Sequence, residues 1–219
     1  MVKSIERQNK VQGLAIKWVP VTIQTRFDAV AKGQADMECS SSTVTLSRLK
    51  QVDFSSYTFV ESTGVVVRTV SGARSFNDLA GKKIAVVAGT TNERAVHTQL
   101  KRRSITASVV PFKTRDEGFA AVEAGKVDAF ASDKLLLVGA SAKAKEPGML
   151  AMLADDLSFE PYGIALPRAD ATFRLAVNTG LSEIYSSEEI IQIFLRWFGA
   201  LGRPSPLIEA VYLFGSIPE

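Results

Sequence analysis

The sequence predicts an α/β chain built from two related lobes, on two observations. One unit occurs twice: Phe27-x-Ala29-Val30-x-x-Gly33-x-x-Asp36 returns as Phe119-x-Ala121-Val122-x-x-Gly125-x-x-Asp128, every matched position offset by 92 residues. Each copy reaches a serine four residues after its aspartate, Ser40 and Ser132. A repeat at domain scale, longer than the roughly 20–50 residues of a solenoid, fits two similar domains. The second observation is the order β-α-β-α-β-α over residues 84–145, which implies a parallel sheet with right-handed crossovers. Two such lobes facing each other make a cleft, the place where small ligands bind.

The elements follow in order. In the first lobe, residues 5–12 read as a helix closing near Gly13, 15–21 as a strand, 25–31 as a helix stopped at Gly33, and 35–39 as a strand. In the second, Phe76-Asn77-Asp78-Leu79 opens a short helix and turn. Residues 84–88 are apolar without alternation, the mark of a strand buried on both faces. Gly89-Thr90-Thr91-Asn92 opens a helix running to about Arg103, 108–112 is a strand, and 117–124 a helix ended by Gly125 in the C-cap role. Residues 127–131 form a third strand, and the next helix runs over 134–145. Two extended segments, 64–68 and 162–167, are expected to join the lobes as a hinge, which gives lobe 1 as residues 1–67 plus 164–219 and lobe 2 as 68–163. Helices are expected at 171–184 and 187–198, the latter with Ile190, Ile191, Phe194, Trp197 and Phe198 on one core-facing stripe. The stretch from Arg203 to Glu219 reads as loop plus a weak helix. Shifting the strand 84–88 back by 92 residues lands before Met1, so the first strand of lobe 1 and its loop are expected to be missing.

Composition narrows the function classes. The 26 basic and 23 acidic residues leave a net charge of +3, too small to argue for nucleic acid. The densest basic patch, Lys101-Arg102-Arg103, suits a helix C-terminus. Cys39 is the only cysteine and His97 the only histidine, which excludes an intrachain disulfide and zinc or CxxC spacing. No apolar run reaches the ~18 residues of a membrane span, and Met1 to Gln8 has no signal-peptide core. No Ser-His-Asp set, Cys-His pair or HExxH is present, and nothing calls for a cofactor.

In open parallel sheets ligands sit beyond the carboxyl ends of the strands. There the first lobe offers Ser40, Ser41, Ser42 and Thr43, followed by Arg48. Hydroxyls and backbone N–H groups at such a turn can face an anion, and an arginine can grip a carboxylate through two parallel hydrogen bonds. The alternative is a helix cap by Thr45 or Ser47 with Arg48 solvated. The second lobe offers Gly89, Thr90 and Thr91 at a helix start, a ready anion seat that is neither a P-loop nor a dinucleotide fingerprint. Asp133 can pair with an ammonium group or cap the next helix. Arg115 can reach a second carboxylate or pair at the surface with Glu117. Together these groups suit a zwitterion, since burying its charges requires partners of both signs.

Thr25-Arg26-Phe27 through Gly33 and Asp36, Glu38-Cys39-Ser40-Ser41-Ser42-Thr43, Arg48, Asp53-Phe54-Ser55, Val87-Ala88-Gly89-Thr90-Thr91, Glu123-x-Gly125-x-x-Asp128-Ala129-Phe130 with Asp133, Tyr162-Gly163-Ile164-Ala165-Leu166 and Arg196-Trp197-Phe198 resemble, as a set, the periplasmic solute-binding proteins of polar amino-acid ABC transporters (family 3 type), closest to the glutamate/aspartate-binding group. The resemblance covers essentially the whole chain. It implies a two-lobe type II periplasmic-binding-protein fold, each lobe a mainly parallel sheet flanked by helices. It implies that Arg48 holds the ligand α-carboxylate with Ser42 or Thr43 and Thr91, that Asp133 holds the α-ammonium, and that the chain is no enzyme. Arg115 stands where the acidic-ligand group carries a histidine. A small-molecule amino acid, an ABC transporter permease and a periplasmic location are the partners and place it implies. The N-terminal departure marks a truncated member, for which pairing as a homodimer through the incomplete lobe is a repair. The competing readings are a dehydratase-type enzyme on the same scaffold, with Asp133 or Glu38 as general acid, and a sensor or remnant module without ligand.

Overall fold

The computed structural model describes residues 1–187 and 189–218. In chain order its first elements are α1 (Val2–Asn9), α2 (Arg26–Ala31), β1 (Asp53–Glu61), β2 (Thr63–Arg68), β3 (Lys83–Val87), α3 (Thr91–Arg102), β4 (Ser108–Phe112) and α4 (Arg115–Glu123). Then follow β5 (Ala129–Asp133), α5 (Lys134–Ala142), β6 (Leu150–Met152), β7 (Glu160–Leu166), α6 (Ala171–Ser186), α7 (Glu189–Phe198) and α8 (Pro206–Gly215). Residue 188 of the expected helix 187–198 and Glu219 of the expected C-terminal stretch lie outside the described residues. The chain divides into two compact units, Met1–Val60 with the residues from Pro161 onward, and Glu61–Glu160.

The second unit is a five-stranded sheet in the order β4-β3-β5-β2-β6. β3 runs parallel to β4 and β5, while β2 runs antiparallel to β5 and β6. Ile84, Ala85 and Val86 of β3 are wholly buried, as a strand inside a sheet covered on both faces requires. One face packs Val65, Ile84, Val86, Ala129 and Ala131 against Val96 and Leu100 of α3 and against Phe76 and Leu79. Helix starts are fixed by side-chain caps: Thr90 accepts from the Glu93 N–H, and Thr114 and Glu117 form a reciprocal capping box. The segment 64–68, expected as an extended crossover, is β2 inside this sheet.

The first unit is mostly helical around the two-stranded sheet β1-β7. α6 buries Ala176, Val177, Leu181 and Tyr185 against Ile5 of α1, Phe194 of α7, and Ile208 and Tyr212 of α8. A smaller cluster joins Val30, Val52, Phe54 and Ala165. Two expected strands are corrected here. Residues 15–21 form no strand: they carry no regular structure, and Ile16 and Trp18 stand 62% and 82% exposed. An apolar run becomes a strand only when a neighbour takes its N–H and C=O groups, and β1-β7 is the sheet of this unit. Residues 35–39 contribute only an isolated bridge, Glu38 to Ala165, because the chain turns at Ser40–Ser42 and rejoins β7 at Thr43, opposite Tyr162.

The repeat is visible in the backbone. α2 and α4 each end at a glycine with φ of +67°, Gly33 and Gly125. The turn hydrogen bonds match: Gly33 to Val30 at 3.1 Å and Gln34 to Ala29 at 2.8 Å, against Gly125 to Val122 at 3.1 Å and Lys126 to Ala121 at 2.9 Å. That left-handed conformation is the one L side chains avoid.

Candidate functional site

In the first unit the turn after Glu38 gathers a polar cluster. Arg26 and Glu38 are both buried, 6% exposed each, with Arg26 Nη1 3.9 Å from Glu38 Oε1. Ser42 Oγ donates to Glu38 Oε2 at 2.5 Å, Ser40 Oγ donates to Glu38 Oε1, and Arg26 Nη1 donates to Ser40 Oγ at 3.1 Å. Arg48 donates through Nη1 to the Thr43 carbonyl at 2.7 Å, and its own N–H meets Thr45 Oγ1 at 3.2 Å. The Thr45 cap is therefore present, yet the Arg48 guanidinium is not simply solvated. It lies 4.9 Å from the centroid of Phe27, and that of Arg26 lies 4.8 Å from the same ring. Two guanidiniums thus share one aromatic ring beside the hydroxyl turn. Ser41 and Thr43 belong to this turn, with Thr43 buried, and the Ser42 hydroxyl proton is spent on Glu38.

In the second unit Asp133 ends β5, 3% exposed. It precedes α5 but makes no side-chain cap bond to it. Its Oδ1 accepts from Asn92 Nδ2 at 2.9 Å, and its Oδ2 lies 3.5 Å from Arg115 Nη2. Glu117 takes part in the cap of α4, and Arg115 pairs with Asp133. Gly89 and Thr90 are engaged internally. The Gly89 N–H donates to Glu93 Oε2 at 2.8 Å, and the Thr90 hydroxyl donates to the Val87 carbonyl at 2.7 Å while accepting from the Glu93 N–H at 3.2 Å. The start of α3 therefore already holds an anion, the Glu93 carboxylate, and Thr91 is the first residue of that helix. Glu61 lies near: burial pushes its carboxyl above the usual value, the Ser62 and Leu135 N–H groups pull it back, and the charge of Asp133 adds to the rise.

Sequence reasoning singled out Arg48, Thr43, Arg115 and Asp133, but not the pairing of Arg115 with Asp133. It did not find the Arg26–Glu38 pair as a pair, nor Asn92. One available signal was the repeat itself, which sets Arg26 against Gly118 and Glu38 against Phe130. Another was Thr90-x-x-Glu93, a capping-box spacing that announces an occupied helix start. Among the described residues no group of three or more His, Cys, Asp or Glu side chains is placed to hold a metal ion, and no helix is long and apolar enough to cross a membrane.

The model of the bacterial extracellular solute-binding proteins, family 3, matches residues 1–200. The chain belongs to this family. The L-glutamate/L-aspartate-binding protein of Pseudomonas aeruginosa is 33% identical over 198 residues, covering 90% of this solute-binding protein and 66% of the relative. The chain thus spans just under two thirds of the length of the curated relatives it matches. Among solved structures, an ancestral arginine-binding protein bound to glutamine superposes with a TM-score of 0.77 at 27% identity, covering 90% of this chain and 85% of that one. The GluR0 ligand-binding core from Nostoc punctiforme in complex with L-glutamate does so with a TM-score of 0.72 at 25% identity, covering 90% and 88%. The type II periplasmic-binding-protein fold expected from sequence is the fold of this chain.

Proposed function

We propose that this solute-binding protein binds a polar, acidic L-amino acid of the glutamate or aspartate kind and delivers it to an ABC importer, acting by binding and release without turnover. The observation that carries the reading is the provision of both charge signs by partly or wholly buried side chains. A buried carboxylate, Asp133, is offered to an α-ammonium. In the first unit Arg48, seated on Phe27 and donating to the Thr43 carbonyl, is the cation offered to the α-carboxylate, with Ser41 and Thr43 in the turn beside it. Arg115, which lies against Asp133, supplies the charge for an acidic side chain. A zwitterion leaves water only for a site that answers each of its charges. The glutamate/aspartate-binding relatives support the ligand class, and their family supports a location outside the cytoplasmic membrane and a permease partner.

Titration calorimetry of the chain with glutamate, aspartate, glutamine and arginine tests the reading. Saturable heat with glutamate or aspartate, lost on Arg48→Ala, is expected. Absence of both heat and thermal shift with every amino acid would overturn it, and preference for arginine would overturn the acidic assignment.

A further inference from the structure

Asn92 is an unusual residue at its position. It is the second residue of α3, just past the cap, and only 4% exposed. Asparagine is a weak helix former that gains little from being buried, so its amide must be satisfied by something specific. Its Nδ2 meets two oxygens: Asp133 Oδ1 at 2.9 Å and Thr63 Oγ1 at 2.8 Å. An ionised carboxylate only accepts, so the amide nitrogen, with its two protons, is the end that faces both.

The network continues from there. Thr63 Oγ1 lies 3.3 Å from Glu160 Oε1 and 2.8 Å from Ser158 Oγ, and Ser158 Oγ lies 2.5 Å from Glu160 Oε1. Asn92 gives one proton to Asp133 and one to Thr63, Thr63 gives its own to Glu160, and Ser158 shares its single proton between Thr63 and Glu160. The chain of donors thus runs from the amide to two carboxylates. Thr63 and Glu160 are 0% and 1% exposed, so these bonds form where water does not compete and where misalignment is costly. Thr63 opens β2, and Glu160 is the last residue of the second unit.

We propose that Asn92 is a positioning residue for ligand recognition. Its amide fixes Oδ1 of Asp133 and, through Thr63, shares that hold with Glu160, leaving Oδ2 as the oxygen offered to a cationic group. Arg115 already lies on the Oδ2 side. The inference rests on the reading of Asp133 as acceptor of the ligand ammonium. Its consequence is selectivity: the orientation of Asp133 matters to a ligand that carries an α-ammonium and not to one that lacks it.

The test compares L-glutamate with glutarate, the same diacid without the amino group, by calorimetry on the full chain. Asn92→Ala is expected to weaken glutamate about tenfold, the scale of one hydrogen bond to a charged group, and glutarate less than about twofold by the same rule. Thr63→Val, which keeps the direct Asn92–Asp133 bond, is expected to weaken glutamate by less than Asn92→Ala does. Equal losses for both ligands, or none for glutamate, overturn the proposal. A second measurement decides the matter where glutarate gives too little heat, or where the parent chain binds no amino acid and the functional reading itself fails. In a ligand-free unfolding cycle of Asn92→Ala with Asp133→Ala, a coupling of about fivefold or more in the unfolding constant sustains the tie, and additive effects overturn it.

Discussion

Gly118 gives a prediction in which a local rule and the packed structure disagree in sign. It lies inside α4, where replacing glycine with alanine ordinarily stabilises a helix by about 1 kcal/mol. A Cβ built there would stand 2.6 Å from Cε2, 2.9 Å from Cδ2 and 3.1 Å from Cζ of Phe130. Carbon atoms rest at about 3.5–4.0 Å, so the ring or the helix must retreat by about 1 Å. The ring has little room. Phe130 is 1% exposed, its backbone is paired with Val66 of β2 and Ala85 of β3, and its edge packs on Phe119 at 6.5 Å. Overpacking of a filled core costs about 1–3 kcal/mol. With the helix gain subtracted, Gly118→Ala should destabilise by up to about 2 kcal/mol.

The assay must report on the second unit, and both tryptophans, Trp18 and Trp197, belong to the first. Urea unfolding followed by far-ultraviolet circular dichroism, with amide exchange of β3 and β5, reads the right region. A lower midpoint and faster exchange in β5 are expected, with partial recovery when Phe130→Leu is added, since neighbouring changes of opposite volume do not add. A midpoint equal to or above the parent's would show that the ring yields freely, and the packing argument would fall.

Two further predictions concern charge. Glu61 has its carboxyl raised mainly by burial, so its stabilising effect is complete below its unfolded value near 4.5 and is lost as pH rises through the raised folded value; Glu61→Gln should therefore melt above the parent at pH 7, with the gap closing as pH falls below that value, and a gap that ignores pH would refute the assignment. Arg26→Met leaves Glu38 buried without its cation and should cost about 3 kcal/mol by urea unfolding at pH 7, whereas the double change Arg26→Met with Glu38→Gln should recover most of it.

The parts of the fold that were legible are those whose causes are local. β3, α3, β4, α4 and β5 each carry their own signal, whether an apolar run, a cap or a terminating glycine, and the structure forms them within two residues of the expected bounds at most ends. Residues 15–21 carry the same apolar signal and form no strand, because a strand is stabilised by a neighbour elsewhere in the chain, and the run itself does not reveal whether that neighbour is there. The site divides in the same way. Asp133 could be read from its place after a strand, and Arg115 from its place in the loop that follows residues 108–112. The grip of Asn92 on Asp133 could not, because it joins positions 41 residues apart through side chains that look like ordinary helix and strand polars. Thr90 and Gly89 were read as an anion seat from the helix start alone, when the Glu93 three residues on already filled it.

The repeat explains why the two polar sites differ in kind. Adding 92 to Arg26 and Glu38 gives Gly118 and Phe130. These two positions touch in both copies: as a buried ion pair 3.9 Å apart in the first unit, and in the second as a glycine whose missing Cβ leaves room for an aromatic ring. One geometric contact between the helix and the strand that follows it is thus filled by charge on one side and by apolar volume on the other. The consequence reaches the polar residues that follow each strand. Where the contact is ionic, its carboxylate takes the hydroxyl protons of Ser40 and Ser42, and Arg48 donates to the Thr43 carbonyl. Where it is apolar, no carboxylate competes for donors, and Asp133 takes them for itself from Asn92 and Arg115.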